Sequence, residues 1–107
     1  MRAAVLHCTC PDVATAERIA TALVEERLAA CVQQLPGLRS TYRWEERVET
    51  AEEVLLLIKT ADDRIPAAIA RVQAMHPYDV PELLVLEVRD GAPAYLDWVH
   101  AQSRPDA

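Results

Sequence analysis

The chain has 107 residues, of which 51% are apolar and 26% charged, and this balance excludes an intrinsically disordered protein. Its formal net charge of −6 gives a surface that repels phosphate backbones, so we expect no nucleic-acid partner. The longest apolar run, residues 54–58, is too short to cross a membrane, and the first residues do not resemble a signal peptide. We therefore expect one cytoplasmic domain over residues 1–107, with no membrane partner.

The first predicted elements are a strand over residues 3–10 and a helix over residues 13–28. Pro11 ends the strand, and the carboxylate of Asp12 can accept a backbone N–H at the start of the helix. Apolar side chains recur along the helix at the spacing that places them on one face: Ala16, Ile19, Ala20, Leu23 and Val24.

A long hairpin is predicted next. Residues 29–35 and 38–44 are both strand-like and are joined by Pro36-Gly37, which indicates one long strand bent midway. Residues 45–47 turn the chain, and residues 48–60 return along it. The outer strands are only about seven residues long, so the distal half of this hairpin must project beyond the core. An exposed apolar hairpin invites association, and a second copy of the chain is its simplest cover.

The second half of the chain predicts a helix over residues 62–75, capped by Asp62 or Asp63 and ended by His76-Pro77. A fourth strand over residues 83–89 and a short tail helix follow, and residues 102–107 are expected to fray. The order βαββαβ predicts an α+β, ferredoxin-like fold. Both helices should cover one face of an antiparallel sheet in the order 4-1-3-2.

Cys8 and Cys10 are the first candidates for chemistry, because residues two apart on a strand share a face. Thiolates suit Cu(I) or Zn(II), but two ligands do not complete a site. The competing interpretation, favoured more strongly for Cys10, is a pair of buried apolar thiols. His76 ends the second helix, which this fold can bring next to Cys8. A copper site of Cys8 and His76, completed by Glu82 or water, competes with a histidine that interacts with the helix dipole.

Six segments in order carry a resemblance to a known family. They are Cys8-Thr9-Cys10-Pro11-Asp12, Leu28-Ala29-Ala30-Cys31-Val32, Tyr42-Arg43-Trp44-Glu45, residues 52–60, His76-Pro77-Tyr78-Asp79-Val80-Pro81-Glu82, and Tyr95-Leu96-Asp97-Trp98. The chain resembles the CutA family of divalent-cation tolerance proteins over residues 5–99.

The resemblance implies a homotrimer joined through the long hairpin and an association with copper or other divalent metal ions. It also implies intersubunit cleft or interface positions at Cys31, Tyr42, Trp44, Lys59, Tyr78 and Glu82, with Lys59 and Glu82 as a candidate ion pair. Two departures from the family pattern stand out. Met75 precedes His76 where some members have a second histidine, and Trp44-Glu45-Glu46-Arg47 lacks the glycine of the usual hairpin tip. We therefore expect a longer or different turn there.

Two other functions compete with the metal-binding trimer. The first is a PII-like signalling trimer that binds a small effector in the intersubunit cleft. The second is a small enzyme, which is the least favoured, because two glycines leave no phosphate-binding loop and no Ser/His/Asp set is spaced for catalysis. We expect a binding protein with no catalytic residues and no organic cofactor.

Overall fold

The computed structural model describes residues 2–105. It contains four strands and three helices, in the order β1 (Ala3–Cys10), α1 (Val13–Glu25), β2 (Cys31–Trp44), β3 (Arg47–Ala61), α2 (Ile65–Met75), β4 (Leu84–Glu87) and α3 (Pro93–Gln102). A 3₁₀ turn, Asp62–Arg64, precedes α2. No helix within these residues is both long enough and apolar enough to span a membrane.

The four strands form one antiparallel sheet in the order β2-β3-β1-β4. Every second residue of β1, and of β3 from Val54 onward, is buried, and these side chains form one core with the apolar faces of α1 and α2. The members of this core include Leu6, Cys8, Cys10, Leu56 and Ile58 from the sheet, and Ile19, Leu23, Ala68 and Val72 from the helices. Both helices therefore cover the same face, which confirms the predicted ferredoxin-like α+β fold and strand order.

The hairpin of β2 and β3 extends well beyond this core. β1 pairs with β3 only from Val54 to Ala61, so the earlier part of β3 has β2 as its sole partner within the described chain. The register shifts between Leu35 and Leu38, around Pro36-Gly37, where the sequence predicted a bend. The projection gives the molecule a length of 46 Å against widths of 26 and 21 Å.

The hairpin tip differs from the prediction of a longer or different turn. Trp44 pairs directly with Arg47, and the two residues between them both adopt left-handed backbone angles, with φ of 49° at Glu45 and 66° at Glu46. This is the tight two-residue turn whose twist matches the flanking strands. Pairing along the two long strands holds the chain in it although neither residue is glycine, which leaves local strain at the tip.

The first helix ends three residues before the predicted boundary at residue 28. Arg27 adopts a φ of 58°, and the N–H groups of Leu28 and Ala29 donate to the Leu23 carbonyl at 2.9 and 3.1 Å. These bonds satisfy a carbonyl that a continued helix would have used, so the chain turns away. The start of the helix agrees with the prediction, since the Thr15 N–H donates to the Asp12 side chain at 2.7 Å.

The cap predicted for the second helix is wrong. Neither Asp62 nor Asp63 caps it with a side chain; these residues form the 3₁₀ turn, and α2 begins at Ile65. The carboxylate of Asp63 pairs instead with the guanidinium of Arg104. β4 is also shorter than predicted, because its pairing with β1 covers only Ala4 to His7.

The last helix continues to Gln102, and the residue after it makes contacts with the body of the domain. Ser103 is fully buried. Its hydroxyl donates to the Val99 carbonyl at 2.7 Å and accepts the Ala61 N–H at 3.1 Å. The segment is therefore tied to the end of β3, and residues 106 and 107 lie outside the described residues.

Candidate metal centre

Three potential metal ligands meet beneath the helices at the C-terminal end of β1. The sulfur atoms of Cys8 and Cys10 and a ring nitrogen of His76 all lie within 4.8 Å of one another. Both cysteines are fully buried, and His76 is 8% exposed. The strand supplies two side chains to the same face, and His76 follows the last turn of α2 with its N–H donating to the Val72 carbonyl at 2.8 Å. The structure thus brings together Cys8 and His76, which the sequence paired.

Hydrogen bonds hold both ring nitrogens of His76. Its Nε2 lies 2.8 Å from the Thr9 carbonyl oxygen, and the Tyr78 N–H donates to Nδ1 at 3.1 Å. A carbonyl can only accept, so Nε2 carries the proton and the lone pair resides on Nδ1. A metal ion that takes this lone pair must displace the Tyr78 N–H. The ring therefore contacts β1, and in this position it is not a cap for the last carbonyls of α2.

The two thiols influence each other's ionisation. A hydrogen bond from Cys8 to Cys10 raises the pKa of Cys8, with burial as the next cause, and the same bond lowers the pKa of Cys10. The charges of Glu53 and Glu82 also raise the pKa of Cys8. Of the two thiols, Cys10 is therefore the one that loses its proton more readily.

Beside this group lies an open groove of about 650 Å³, which we call the acidic groove. Its lining consists of Thr9, Ser40, Thr41, Tyr42, Trp44, Glu49, Glu53, Tyr78, Asp79, Val80 and Glu82. Four of these residues are carboxylates and three are aromatic, and the groove contains no Lys or Arg among the described residues. The charges of two of its residues, Glu53 and Glu82, act on the Cys8 thiol, so the groove lies near the thiol pair, although neither cysteine lines it.

Glu53 and Tyr78 link the hairpin to the segment after α2. The Tyr78 hydroxyl donates to Glu53 Oε2 at 3.2 Å, and Glu53 is only 8% exposed. Burial, together with the neighbouring Glu53 carboxylate, raises the pKa of Tyr78 to about 12. The rings of His76 and Tyr78 are tilted against each other with centroids 4.8 Å apart. A change at His76 can therefore reach the groove through Tyr78.

The remaining predicted positions separate into two places. Tyr42, Trp44, Tyr78 and Glu82 line the acidic groove, whereas Cys31 and Lys59 face each other across β2 and β3 at the other end of the hairpin. The Lys59 ammonium lies 5.8 Å from the centre of the Tyr95 ring. In the described part of a single chain, Lys59 and Glu82 form no ion pair. Glu82 is exposed and is not a member of the Cys8, Cys10 and His76 group.

Two residues stand out more clearly in the structure than in the sequence. The sequence favours a structural thiol at Cys10, and the structure places its sulfur in the same buried group as Cys8 and His76. Glu53 was not singled out at all. A carboxylate within the 15-residue strand β3 gives no sign in the sequence that the hairpin buries it against Tyr78.

Comparison with known proteins was consistent over nearly the whole chain. Residues 4–102 match the family described as CutA1 divalent ion tolerance protein. The divalent-cation tolerance protein CutA of Pectobacterium atrosepticum is 49% identical over 102 residues, covering 95% of this chain and 93% of that protein.

Solved structures agree with this match. The crystal structure of CutA from Xylella fastidiosa superposes with a TM-score of 0.94 at 48% identity, covering 95% of this chain and 98% of that one. A CutA from Archaeoglobus fulgidus, described as a periplasmic divalent cation tolerance protein, superposes with a TM-score of 0.93 at 32% identity, covering 95% and 99%. These names do not favour the effector-binding, PII-like alternative.

Proposed function

The chain belongs to the CutA1 divalent ion tolerance family, and from this premise we propose that it is a homotrimer that weakly binds copper or another divalent metal ion through Cys8 and His76. The membership confirms the resemblance noted in the sequence. The observation that carries the proposal is the buried group in which the Cys8 sulfur and a His76 nitrogen lie within 4.8 Å. Its role is binding in the response to metal ions, with no catalytic step.

The donor atoms fit a thiophilic metal ion. Thiolate and imidazole together suit copper and zinc, whereas calcium and magnesium require oxygen ligands. Glu82 lies at the groove and outside the buried group. In this proposal Glu82 contributes negative charge near Cys8. The alternative is that Glu82 binds the metal ion directly or through water, and mutation of Glu82 can distinguish the two.

The acidic groove supports the proposal as a path for cations. Glu49, Glu53, Asp79 and Glu82 line a concave surface, and the charges of two of them act on the Cys8 thiol. Like charges that line a concave surface concentrate the field, which raises the local concentration of ions of opposite sign. Cations therefore accumulate beside Thr9 and the buried cysteines.

Weak binding follows from the state of His76. Its lone pair already accepts the Tyr78 N–H at 3.1 Å, and its proton is donated to the Thr9 carbonyl at 2.8 Å. Coordination has to replace these bonds, and leaving buried polar groups without partners costs free energy. A preformed cluster with a free lone pair would bind more tightly.

The trimer is supported by the exposure of the hairpin. Leu35, Trp44 and Val48 are 57%, 50% and 67% exposed in a single chain. A projecting two-stranded ribbon with exposed apolar residues tends to associate with other chains unless a partner covers it. Two further copies of the chain supply that cover.

The cytoplasm is the compartment that we favour. Cys8, Cys10 and Cys31 are all unpaired, and thiols persist in the reduced form where glutathione and thioredoxin act. The Archaeoglobus fulgidus relative is described as periplasmic, so fractionation of cells that express the native chain is the direct measurement.

Metal titration of the trimer tests the site. Cu(II) and Zn(II) binding is measured by equilibrium dialysis for wild type, Cys8→Ala and His76→Ala, with Cys31→Ala as the matched control because Cys31 lies away from the group. We expect at least a tenfold loss of affinity in the first two variants, and wild-type affinity in Cys31→Ala. Equal affinity in all four proteins would leave Cys8 as a structural thiol and contradict the proposal.

A further inference from the structure

Cys10 belongs to the same buried group as Cys8 and His76, yet the function proposed above does not use it. Resting on that proposed function, and deepening it, we propose that Cys10 is a third ligand and that this chain's site selects a monovalent thiophilic ion, Cu(I), over divalent ions. The juxtaposition that carries the proposal is two thiols and one imidazole, all within 4.8 Å and all buried.

The strand fixes the two thiols as a pair of ligands. Cys8 and Cys10 stand opposite Leu56 and Val54 of β3, so regular pairing keeps this part of β1 extended. Residues two apart on such a strand have Cα atoms about 6.6 Å apart. Disulfides most often span about 5.5 to 6 Å, so the strand favours two separate thiols on the same face over a bond between them.

The spacing also suits a three-coordinate ion. With metal–sulfur bonds of about 2.3 Å, donors arranged as a triangle around one ion are about 4 Å apart. The observed limit of 4.8 Å places the three donor atoms close to this arrangement before any metal is added. Small side-chain rotations are sufficient to complete it.

The number and type of donors select the ion. Structural Zn(II) sites are almost always four-coordinate, and no fourth Cys, His, Asp or Glu among residues 2–105 joins the group. Water is a poor fourth ligand here because both cysteines are fully buried. Paired soft thiolates favour Cu(I), which does not require a fourth donor.

His76 contributes less than the cysteines because its ring is already engaged. Presenting the Nδ1 lone pair breaks the hydrogen bond from the Tyr78 N–H, which is the longer of the two ring contacts at 3.1 Å against 2.8 Å for the Thr9 contact. When the thiols bind a metal ion, the contacts that they lose are weaker. An example is the 3.8 Å hydrogen bond from the Cys8 sulfur to the Thr9 carbonyl. Loss of either cysteine should therefore reduce Cu(I) affinity more than loss of His76.

Anaerobic competition with a chromophoric Cu(I) chelator measures the affinity of the intact oligomer. The proteins are wild type, Cys8→Ser, Cys10→Ser, His76→Gln and the control His7→Gln, whose side chain lies on the opposite face of β1. Circular dichroism of each metal-free protein is the folding check. We expect Cys10→Ser and Cys8→Ser to lose Cu(I) affinity by comparable factors of at least about 10, the scale on which even indirect ligand support acts. His7→Gln should match wild type, and Cys10→Ser should change Zn(II) affinity by a smaller factor than Cu(I) affinity.

The outcomes separate this inference from the proposed function. Unchanged Cu(I) affinity in Cys10→Ser, together with divalent binding that still depends on Cys8 and His76, would overturn the role of Cys10 and leave the proposed function intact. Metal binding independent of Cys8 would overturn both. If Cys10→Ser does not fold, Cys10→Ala replaces it, since alanine keeps the core apolar. X-ray absorption of the Cu(I)-loaded proteins should then count two sulfur neighbours in wild type and one in the variant, and an unchanged count would contradict the inference.

Discussion

His76 and Thr9 are joined by a contact of 2.8 Å between the ring Nε2 and the backbone carbonyl oxygen. The contact ties the end of α2 to β1 between the two cysteines, and Thr9 is only 6% exposed. Replacing His76 with Ala leaves this carbonyl, and the Tyr78 N–H, without their present partners. We expect the free energy of unfolding to fall by about 1–3 kcal/mol, measured by urea denaturation of the metal-free protein at one fixed chain concentration.

His7→Ala is the matched control for this substitution. His7 also lies in β1, but on the opposite face of the sheet from Cys8. We expect a smaller loss of stability there. Equal losses for the two variants would show that the bonds of the His76 ring contribute nothing beyond the bulk of an imidazole.

Trp44 tests the proposed trimer. Its side chain is 50% exposed in the single chain and stands next to the hairpin tip. Trp44→Ala should weaken association by about 2 kcal/mol if the ring is an interface anchor. Light scattering over a dilution series should then show dissociation at higher protein concentration than in wild type, whereas Val13→Ala, on the exposed side of α1, should match wild type. A monomer mass for wild type at micromolar concentration would end the trimer proposal.

The raised pKa of Tyr78 predicts a loss of folding stability in alkaline solution. Its pKa is raised to about 12 in the folded chain, while an unfolded tyrosine titrates near 10. Below pH 10 both states hold the proton, so the contribution is complete there. Between about pH 10 and 12 the unfolded chain loses the proton while the folded chain keeps it, and stability falls as pH rises.

The variant Tyr78→Phe isolates this contribution. The difference in unfolding free energy between wild type and Tyr78→Phe should be constant from pH 7 to 9 and should shrink above about pH 10. Groups common to both proteins cancel in that difference. A difference that stays constant up to pH 12 would contradict the raised pKa.

Local sequence signals predicted the elements but not all of their ends. Asp12 caps α1 as predicted, and Pro36-Gly37 marks the irregular point of β2. The end of α1 was missed because an arginine, Arg27, occupies the left-handed position that usually reveals itself by glycine. The tight hairpin turn was missed for the same reason, because Glu45 and Glu46 occupy left-handed positions where glycine is usual. At the hairpin tip, the pairing of β2 with β3 imposes a backbone conformation that glutamate does not favour. At Arg27, the bonds of the next two N–H groups to the Leu23 carbonyl accompany it.

The candidate site was predictable only in part. Strand alternation already placed Cys8 and Cys10 on one face, and the fold implied that the end of the second helix would reach them. The hydrogen bonds of His76 and the burial of Glu53 depend on how three separate segments meet. No spacing in the sequence predicts these long-range contacts. The acidic groove and the hydrogen bonds of the His76 ring are therefore visible only in the tertiary structure.

Replacing Ser103 tests whether the C-terminal segment is held against the end of β3. It is fully buried, and its hydroxyl accepts the Ala61 N–H at 3.1 Å while it donates to the Val99 carbonyl at 2.7 Å. In Ser103→Ala the Ala61 N–H loses its partner at the end of β3, and water cannot replace it because Ala61 is fully buried as well. We expect a loss of about 1–3 kcal/mol in the free energy of unfolding.

Urea denaturation of Ser103→Ala should be compared with that of Gln102→Ala, because Gln102 is exposed at the end of the same helix. Gln102→Ala should change stability by less than about 0.5 kcal/mol, as exposed substitutions usually do. Hydrogen exchange at the Ala61 amide should also accelerate in Ser103→Ala only, because that amide is the group that loses its acceptor. Wild-type stability and wild-type exchange at Ala61 in this variant would mean that the tail is not fastened to β3 through Ser103, and that the predicted fraying from residue 102 was closer to the behaviour in solution.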